Sequence, residues 1–450
     1  MISRSSLSRL ALRSARAART HQVRGFAAAA PTASSFETYD AAGVKVASRD
    51  AHGPTSRLAL VVKAGTRYQP LPGLTVGLEE FAFKNTNKRS ALRITREAEL
   101  LGGQLNAYHT REALVLQANF LRQDIPYFAE LLAEVITQTR YTTHEFKEDV
   151  KRVIEVNQAK LAGNPSAVAL DAAHALAFHN GLGSPIYPSL SSSAKNYLDE
   201  YALADFAEAA YTKPNIALVA DGASQSNVSQ WTDKFFSEVP ASSSSQLSLK
   251  STPSTYYGGE QRIDYQHGNS VVIAFPGSSA SSSTPEIAVL AALLGGQSGI
   301  KWSPGFSLVS KISAETGASG STSNLKYSDT GLLAVQLSGA APAVRKAAEE
   351  TVKALRSVAA GSVSKEDLTK AIGKAKFDAL DAGESLVSVG SSLVHGAQPL
   401  QPANLAKSFE TVTPQKLQSA AKTLLDGKAT VATVGDLHVL PFAEELGLRV

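Results

Sequence analysis

Glu79 and Glu80 are adjacent carboxylates in the stretch 73–86, GLTVGLEEFAFKNT. Side chains of this type act as general bases or ligate hard cations. Leu74, Leu78 and Phe81 recur three or four apart and share one face, so the stretch reads as a helix ending in a short polar loop. Helical neighbours do not face each other, so Glu79 and Glu80 point to different sides. None of the nine histidines supplies a usable metal-binding pair. His174 and His179 are five apart, diverge on a helix and read as ordinary polar or packing residues. His109 lies in a strand pattern with no visible partner. The chain has no cysteine, which excludes disulfides, thiolate metal sites and cysteine nucleophiles.

The elements around this stretch alternate between strand and helix. Segments 43–50 and 57–64 alternate well enough to be paired strands, and the helix at 73–86 follows. A second helix over 90–101 is closed by Gly102-Gly103. Residues 105–121 (LNAYHTREALVLQANFL) are β-rich and read as a hairpin or two sheet strands. Segments 123–138 and 143–162 are helical; the latter has Thr143 as N-cap and stops at Gly163-Asn164-Pro165. Helices follow at 166–180 and 203–210, then a strand at 215–220 and a helix at 225–237.

The stretch 240–259 is rich in Ser, Thr and Gly and reads as a linker. After it the pattern restarts, with strands at 269–275, 330–337 and 430–435 and helices at 284–294, 342–359 and 364–380. Three landmarks repeat. Gly65 and Gly277, each closing a strand, are 212 apart; Gly222 and Gly435 are 213 apart; KEDVKRVI from Lys147 and KEDLTKAI from Lys365 are 218 apart. The chain therefore divides into an N-terminal domain over 35–239, a linker over 240–259 and a C-terminal domain over 260–450. Each domain has a similar α+β fold.

Residues 1–26 differ from the rest. Six arginines, several serines, Ile2, Leu7, Leu10 and Leu12 occur there, and no acidic residue appears before Glu37. That composition predicts a mitochondrial transit peptide, with the cut near Phe26. The formal net charge of +4 falls to −2 once those six arginines leave, so the charge gives no support to nucleic-acid binding. No apolar run approaches the roughly 18 residues that cross a bilayer, so membrane association would run through partner chains.

Several motifs together resemble the pitrilysin-type metallopeptidases. Their signature helix has the form G-L-x-H-x-x-E-H-x-x-F-K-G-T, and Gly73-Leu74, Phe83-Lys84 and Thr86 fit that frame. Glu99, Gly102-Gly103, Asn106-Ala107 and Arg111-Glu112 resemble the family block that follows, and 181–186 (GLGSPI) its L-G-x-P segment. Tyr327-Ser328-Asp329-Thr330-Gly331-Leu332 and Gly435-Asp436-Leu437 resemble second-half segments. The resemblance implies two similar domains, each a mainly antiparallel β-sheet flanked by helices.

In active members the two histidines, one helical turn apart, hold zinc, and the glutamate beside the second activates water. Here Val76 and Glu80 stand at the histidine positions and only the general-base position survives, as Glu79. The distal glutamate ligand falls at Glu155, Val156 or Asn157, of which Asn157 fits best. A carboxylate set of Glu79, Glu80 and Glu155 would suit a hard cation rather than zinc, but its first two members diverge. The arginine and tyrosine that active members use to hold the peptide are both missing from 308–323 (LVSKISAETGASGSTS). The resemblance thus implies no catalytic residues and no metal, with the helix retained for packing.

Two mitochondrial branches of the family have lost the zinc site. One is the presequence-binding subunit of the processing peptidase, marked by a long glycine-rich loop; the stretch 294–307 here has several glycines but no extended run. The other is the core-subunit branch of the cytochrome bc1 complex. Ile300-Lys301-Trp302-Ser303 with Gly305 and Ser307 resembles its second-subunit type, in fungal forms particularly. That resemblance implies a peripheral place on the matrix side of the inner membrane, in complex III of the respiratory chain. The implied partners are core protein 1, cytochrome b, cytochrome c1, the Rieske iron–sulfur protein and small subunits. It implies no cofactor of its own, in keeping with the absence of cysteine and the single methionine.

Overall fold

The structure is a computed structural model that describes residues 35–187, 198–243, 245, 247, 249, 252–280, 284–297 and 305–450. The predicted transit peptide and the Ile300–Ser303 motif lie outside the described residues.

The first half builds one six-stranded sheet from β1 (Glu37–Ala41), β2 (Val44–Arg49), β3 (Thr55–Val62), β4 (Gln104–His109), β5 (Leu114–Leu121) and β6 (Ile216–Asp221). The strand order is β1-β2-β6-β3-β5-β4, with only β2 and β6 parallel. The expected pairing of the strands at 43–50 and 57–64 is corrected here. β6 is inserted between β2 and β3, because all six of its residues are buried and it fits only at the sheet centre. The helices of this half are α1 (Leu74–Phe81), α2 (Ala91–Leu100), α3 (Ile125–Gln138), α4 (Lys151–Ala162), α5 (Pro165–Phe178), α6 (Glu200–Ala210) and α7 (Gln225–Phe235).

A π turn at Phe146–Val150 precedes α4, and Thr142 rather than Thr143 caps its entry, accepting the Glu145 N–H. Gly163-Asn164-Pro165 both ends α4 and starts α5, since Asn164 accepts from the Ser166 and Ala167 N–H groups and Pro165 needs no N–H partner at the first position.

The second half repeats the arrangement in five strands: β7 (Gly259–Asp264), β8 (Asn269–Pro276), β9 (Ser319–Lys326), β10 (Gly331–Gly339) and β11 (Thr430–Gly435), ordered β7-β11-β8-β10-β9. Only β7 and β11 are parallel. Its helices are α8 (Pro285–Leu294), α9 (Leu308–Thr316), α10 (Ala341–Ala359), α11 (Lys365–Ala382), α12 (Leu386–Val394), α13 (Pro402–Ser408) and α14 (Pro414–Asp426). The α+β reading with two similar, mainly antiparallel halves holds.

Each sheet has one face covered by its own helices and one covered by the other half. Helix α12, from the second half, packs Leu386, Val389 and Leu393 on Ala59, Val61, Val115 and Val219 of the first sheet. Helix α5, from the first half, packs Ala169, Ala173 and Phe178 on Val272, Ala274, Leu332 and Val434 of the second. The two halves are interlocked by this reciprocal exchange.

Candidate functional site

Helix α1 is buried along most of its surface: Leu74, Val76, Leu78 and Phe81 are each 1% exposed. Gly77 lets α6 approach closely, since a Cβ there would stand 2.4 Å from Leu203 Cδ2. The polar exceptions at the C-terminal end are Glu79 and Glu80, both half-buried. Edge strand β4 runs past this end and delivers His109, whose Nδ1 meets Glu79 Oε2. This corrects the expectation that His109 has no partner. The pairing is tertiary, made between residues 30 apart on different elements.

Glu80 has its carboxyl raised by burial and by the charge of Glu79, against the opposing charges of Lys84 and His109. Tyr187 has its hydroxyl raised by burial and then by Glu79 and Glu80, so it shares their electrostatic neighbourhood. Of the three positions considered for a distal ligand, Glu155 and Val156 are exposed and Asn157 is half-buried on α4, which packs against α1. Val76, in the core, has no donor atom. A carboxylate holding one imidazole nitrogen orients the ring and fixes which nitrogen carries the proton. Among the described residues no group of three or more His, Asp or Glu side chains is placed to hold a metal ion. His174 and His179 pack as expected: His174 is buried, and His179 stacks on Tyr257 with ring centroids 4.1 Å apart.

A second polar centre went unread in the sequence. Arg67, after β3, has its side chain 4% exposed and is held by residues of both halves. Its guanidinium donates to Glu112 Oε1 at 2.7 Å and, as a fork, to Asp329 Oδ1 at 2.8 Å and Oδ2 at 2.6 Å. Glu112 in turn accepts from the Ser328 N–H at 2.9 Å and from its hydroxyl at 2.5 Å. Beside it Arg111 donates to Asp171 at 2.6 Å and to the Leu182 carbonyl at 2.8 Å, and His174 Nε2 meets the Tyr327 hydroxyl at 2.7 Å. The motif residues Arg111, Glu112, Tyr327 and Asp329 are thus gathered at the contact between the halves. Arg67 stands outside the quoted motifs; the available signal was an arginine two residues after a strand-closing glycine, facing acidic motif residues in both halves.

The profile of the insulinase family, peptidase family M16, matches residues 45–189, and that of the peptidase M16 inactive domain matches residues 198–374. The chain belongs to the M16 peptidase family. Within it, the chain is 61% identical to the mitochondrial cytochrome b-c1 complex subunit 2 of Neurospora crassa, over 100% of both chains. It is 36% identical to the protein of that name from Yarrowia lipolytica, over 94% of this chain and 99% of the other. The Cryptococcus neoformans protein of that name is 38% identical, over 91% and 94%.

Proposed function

We propose that this chain is a non-catalytic core subunit of the mitochondrial ubiquinol–cytochrome c reductase, complex III, serving the assembly and stability of the complex. The observation that carries the reading is the 61% identity to a cytochrome b-c1 complex subunit 2 over the full length of both chains. The geometry at α1 supports its non-catalytic part. A tetrahedral zinc centre on this helix needs two imidazoles one turn apart. Val76 offers a buried hydrocarbon, Glu80 a carboxylate and Asn157 a neutral amide, while the Glu79 carboxylate lies on His109. That donor set does not fit zinc, and Glu79 is left as a base without a metal-bound water.

The chain associates with the other subunits of complex III. These are core protein 1, cytochrome b, cytochrome c1 and the Rieske protein, met on the matrix side of the inner membrane. No helix among the described residues is long and apolar enough to cross a membrane, which supports attachment through partners. The test is blue-native electrophoresis of detergent-solubilised mitochondria, with identification of the co-migrating chains and zinc analysis of the band. Co-migration with cytochrome b is expected. A complex lacking cytochromes overturns the subunit reading, and stoichiometric zinc bound to this chain overturns the non-catalytic one.

A further inference from the structure

A cavity of about 1810 Å³ opens between edge strand β9, helices α8, α11 and α12, and the turn at 110–112 of the first half. Small side chains make it hollow: Ala288 and Ala291 of α8 and Ala379 of α11 line it, with Phe377 and Leu400 as larger apolar walls. Phe377 is 65% exposed and Leu400 42% exposed.

One wall is polar. Strand alternation puts Thr322, Asn324 and Lys326 on one face of β9, and all three line the cavity. The other cations of the described lining are matched: Arg111 lies on Asp171 and Lys374 on Asp378. The acids Glu112 and Asp329 are both on Arg67, and His395 Nε2 is on the Tyr68 hydroxyl. Among the described residues the Lys326 side chain has no ion pair or hydrogen bond. Burial holds its amine below the ordinary lysine value, the mark of a cation short of a counter-charge. In the same lining three buried polar atoms lack a partner: Thr322 Oγ1, Asn324 Oδ1 and Ser310 Oγ, the last on a residue only 3% exposed. The two hydroxyls can rotate to donate to an oxyanion, and Asn324, whose Nδ2 donates to Ser278 Oγ at 3.2 Å, can do so by turning its amide over.

We propose that this cavity binds an acyl amphiphile, with its anionic head on Lys326, Thr322 and Asn324 and its chain along the alanine and Phe377 wall. A bare oxyanion would satisfy the lysine and leave the apolar hollow empty. The volume exceeds the roughly 300–1,000 Å³ of ordinary small-molecule pockets. A peptide could pair its backbone only along the edge of β9, and on the alanine and Phe377 wall its N–H and C=O groups would find no partner. An acyl chain has no such groups, and each methylene it buries raises affinity about fourfold. The head chemistry, a carboxylate or a phosphate ester, is common to fatty acids and lysophospholipids.

The test uses the full chain and fluorescence of dansyl-undecanoic acid. Palmitate should displace the probe, hexadecanol should displace it at least about tenfold more weakly, and inorganic phosphate should not displace it. Tighter competition by lysophosphatidic acid than by palmitate assigns a phosphate head; the reverse assigns a carboxylate. Lys326→Gln should weaken palmitate by on the order of ten- to a hundredfold, and Lys326→Arg should retain it. Ala291→Phe, which fills the hollow, should weaken palmitate and hexadecanol alike. Equal competition by hexadecanol and palmitate on the unaltered chain overturns the proposal, whatever the variants do. So does unchanged palmitate binding in a Lys326→Gln chain that melts like the parent. Displacement by a glutamate-rich peptide but not by palmitate overturns it in favour of a polypeptide occupant.

Discussion

Replacing Arg67 by alanine removes the charge that joins the two halves. The guanidinium lies between Glu112, with its side chain 8% exposed, and Asp329, 28% exposed, and makes three hydrogen bonds of 2.6 to 2.8 Å to them. Its loss strands two carboxylates in a partly desolvated space. Breaking a buried ion pair from one side costs about 3–5 kcal/mol. Asp329 retains some contact with water, so a loss of about 3 kcal/mol is expected. The assay is urea denaturation of the full chain at neutral pH, followed by tryptophan fluorescence and far-ultraviolet circular dichroism. Adding Glu112→Gln and Asp329→Asn to Arg67→Ala should recover part of the loss, because the stranded charges are then gone. The Asp329 carboxyl is pushed up by burial but held below its ordinary value overall by hydrogen bonds from Arg67 and the Ser254 N–H. A folded value below the unfolded one gives stability that is present above about pH 3.9 and lost as pH falls through the folded value. Arg67→Ala should therefore also flatten the acid limb of the stability curve below about pH 4. A loss under about 1 kcal/mol with an unchanged acid limb would refute the view that this cluster couples the halves.

Two other perturbations test the packing. Gly390 on α12 faces the first sheet, where a Cβ would stand 2.4 Å from Val61 Cγ2 and 3.1 Å from Val219 Cγ2, so Gly390→Val should cost about 1–3 kcal/mol by overpacking. Gly373 on α11 has open space around it, and Gly373→Ala should instead stabilise by about 0.5–1 kcal/mol; melting curves for the two variants that moved in the same direction would contradict the placement of α12. His174 is pushed down to about 3 by burial and by the charge of Arg111, against a hydrogen bond to the Leu170 carbonyl. Its folded form resists protonation that the unfolded chain accepts near pH 6.5, so stability falls as pH drops below that value, by about 2 kcal/mol at pH 5. In His174→Gln that part of the slope should vanish from denaturation midpoints taken between pH 7 and pH 5.

The repeat was legible because strand-closing glycines and a KED helix start recur at nearly one spacing, and those marks depend on local backbone geometry. Strand β9 was not legible. Its sequence, SGSTSNLK, has Thr322 as its one β-branched residue and no aromatic, and it is held as an edge by β10 alone. Strand β7, GEQRID, was lost inside and beside the Ser-rich linker for a related reason, being a half-exposed edge with little apolar content. The frame around Glu79 was readable from spacing on one helix. Its partner His109 was not, since the contact depends on how β4 is placed against α1. Arg67 was hidden in the same way: its two carboxylates come from a turn and from the other half of the chain.

The reciprocal exchange of α5 and α12 makes each half complete the core of the other. A sheet buried on one face by its own helices still has a second apolar face, here Ala59, Val61, Val115 and Val219 in one half and Val272, Ala274, Leu332 and Val434 in the other. Each half covers the other's second face with the helix that follows its long KED helix, and the two covering helices sit at corresponding places in the repeat. Lys45 ties α12 down further by donating to the Leu393 carbonyl at 2.8 Å. Neither half is therefore a finished core without the other, and the Arg67 cluster closes the same contact with charge. The catalytic helix of the family packs into that body through Leu74, Val76, Leu78 and Phe81, so the helix is required by the core whether or not it carries ligands. Val76 adds to that core at a site where an imidazole would be desolvated.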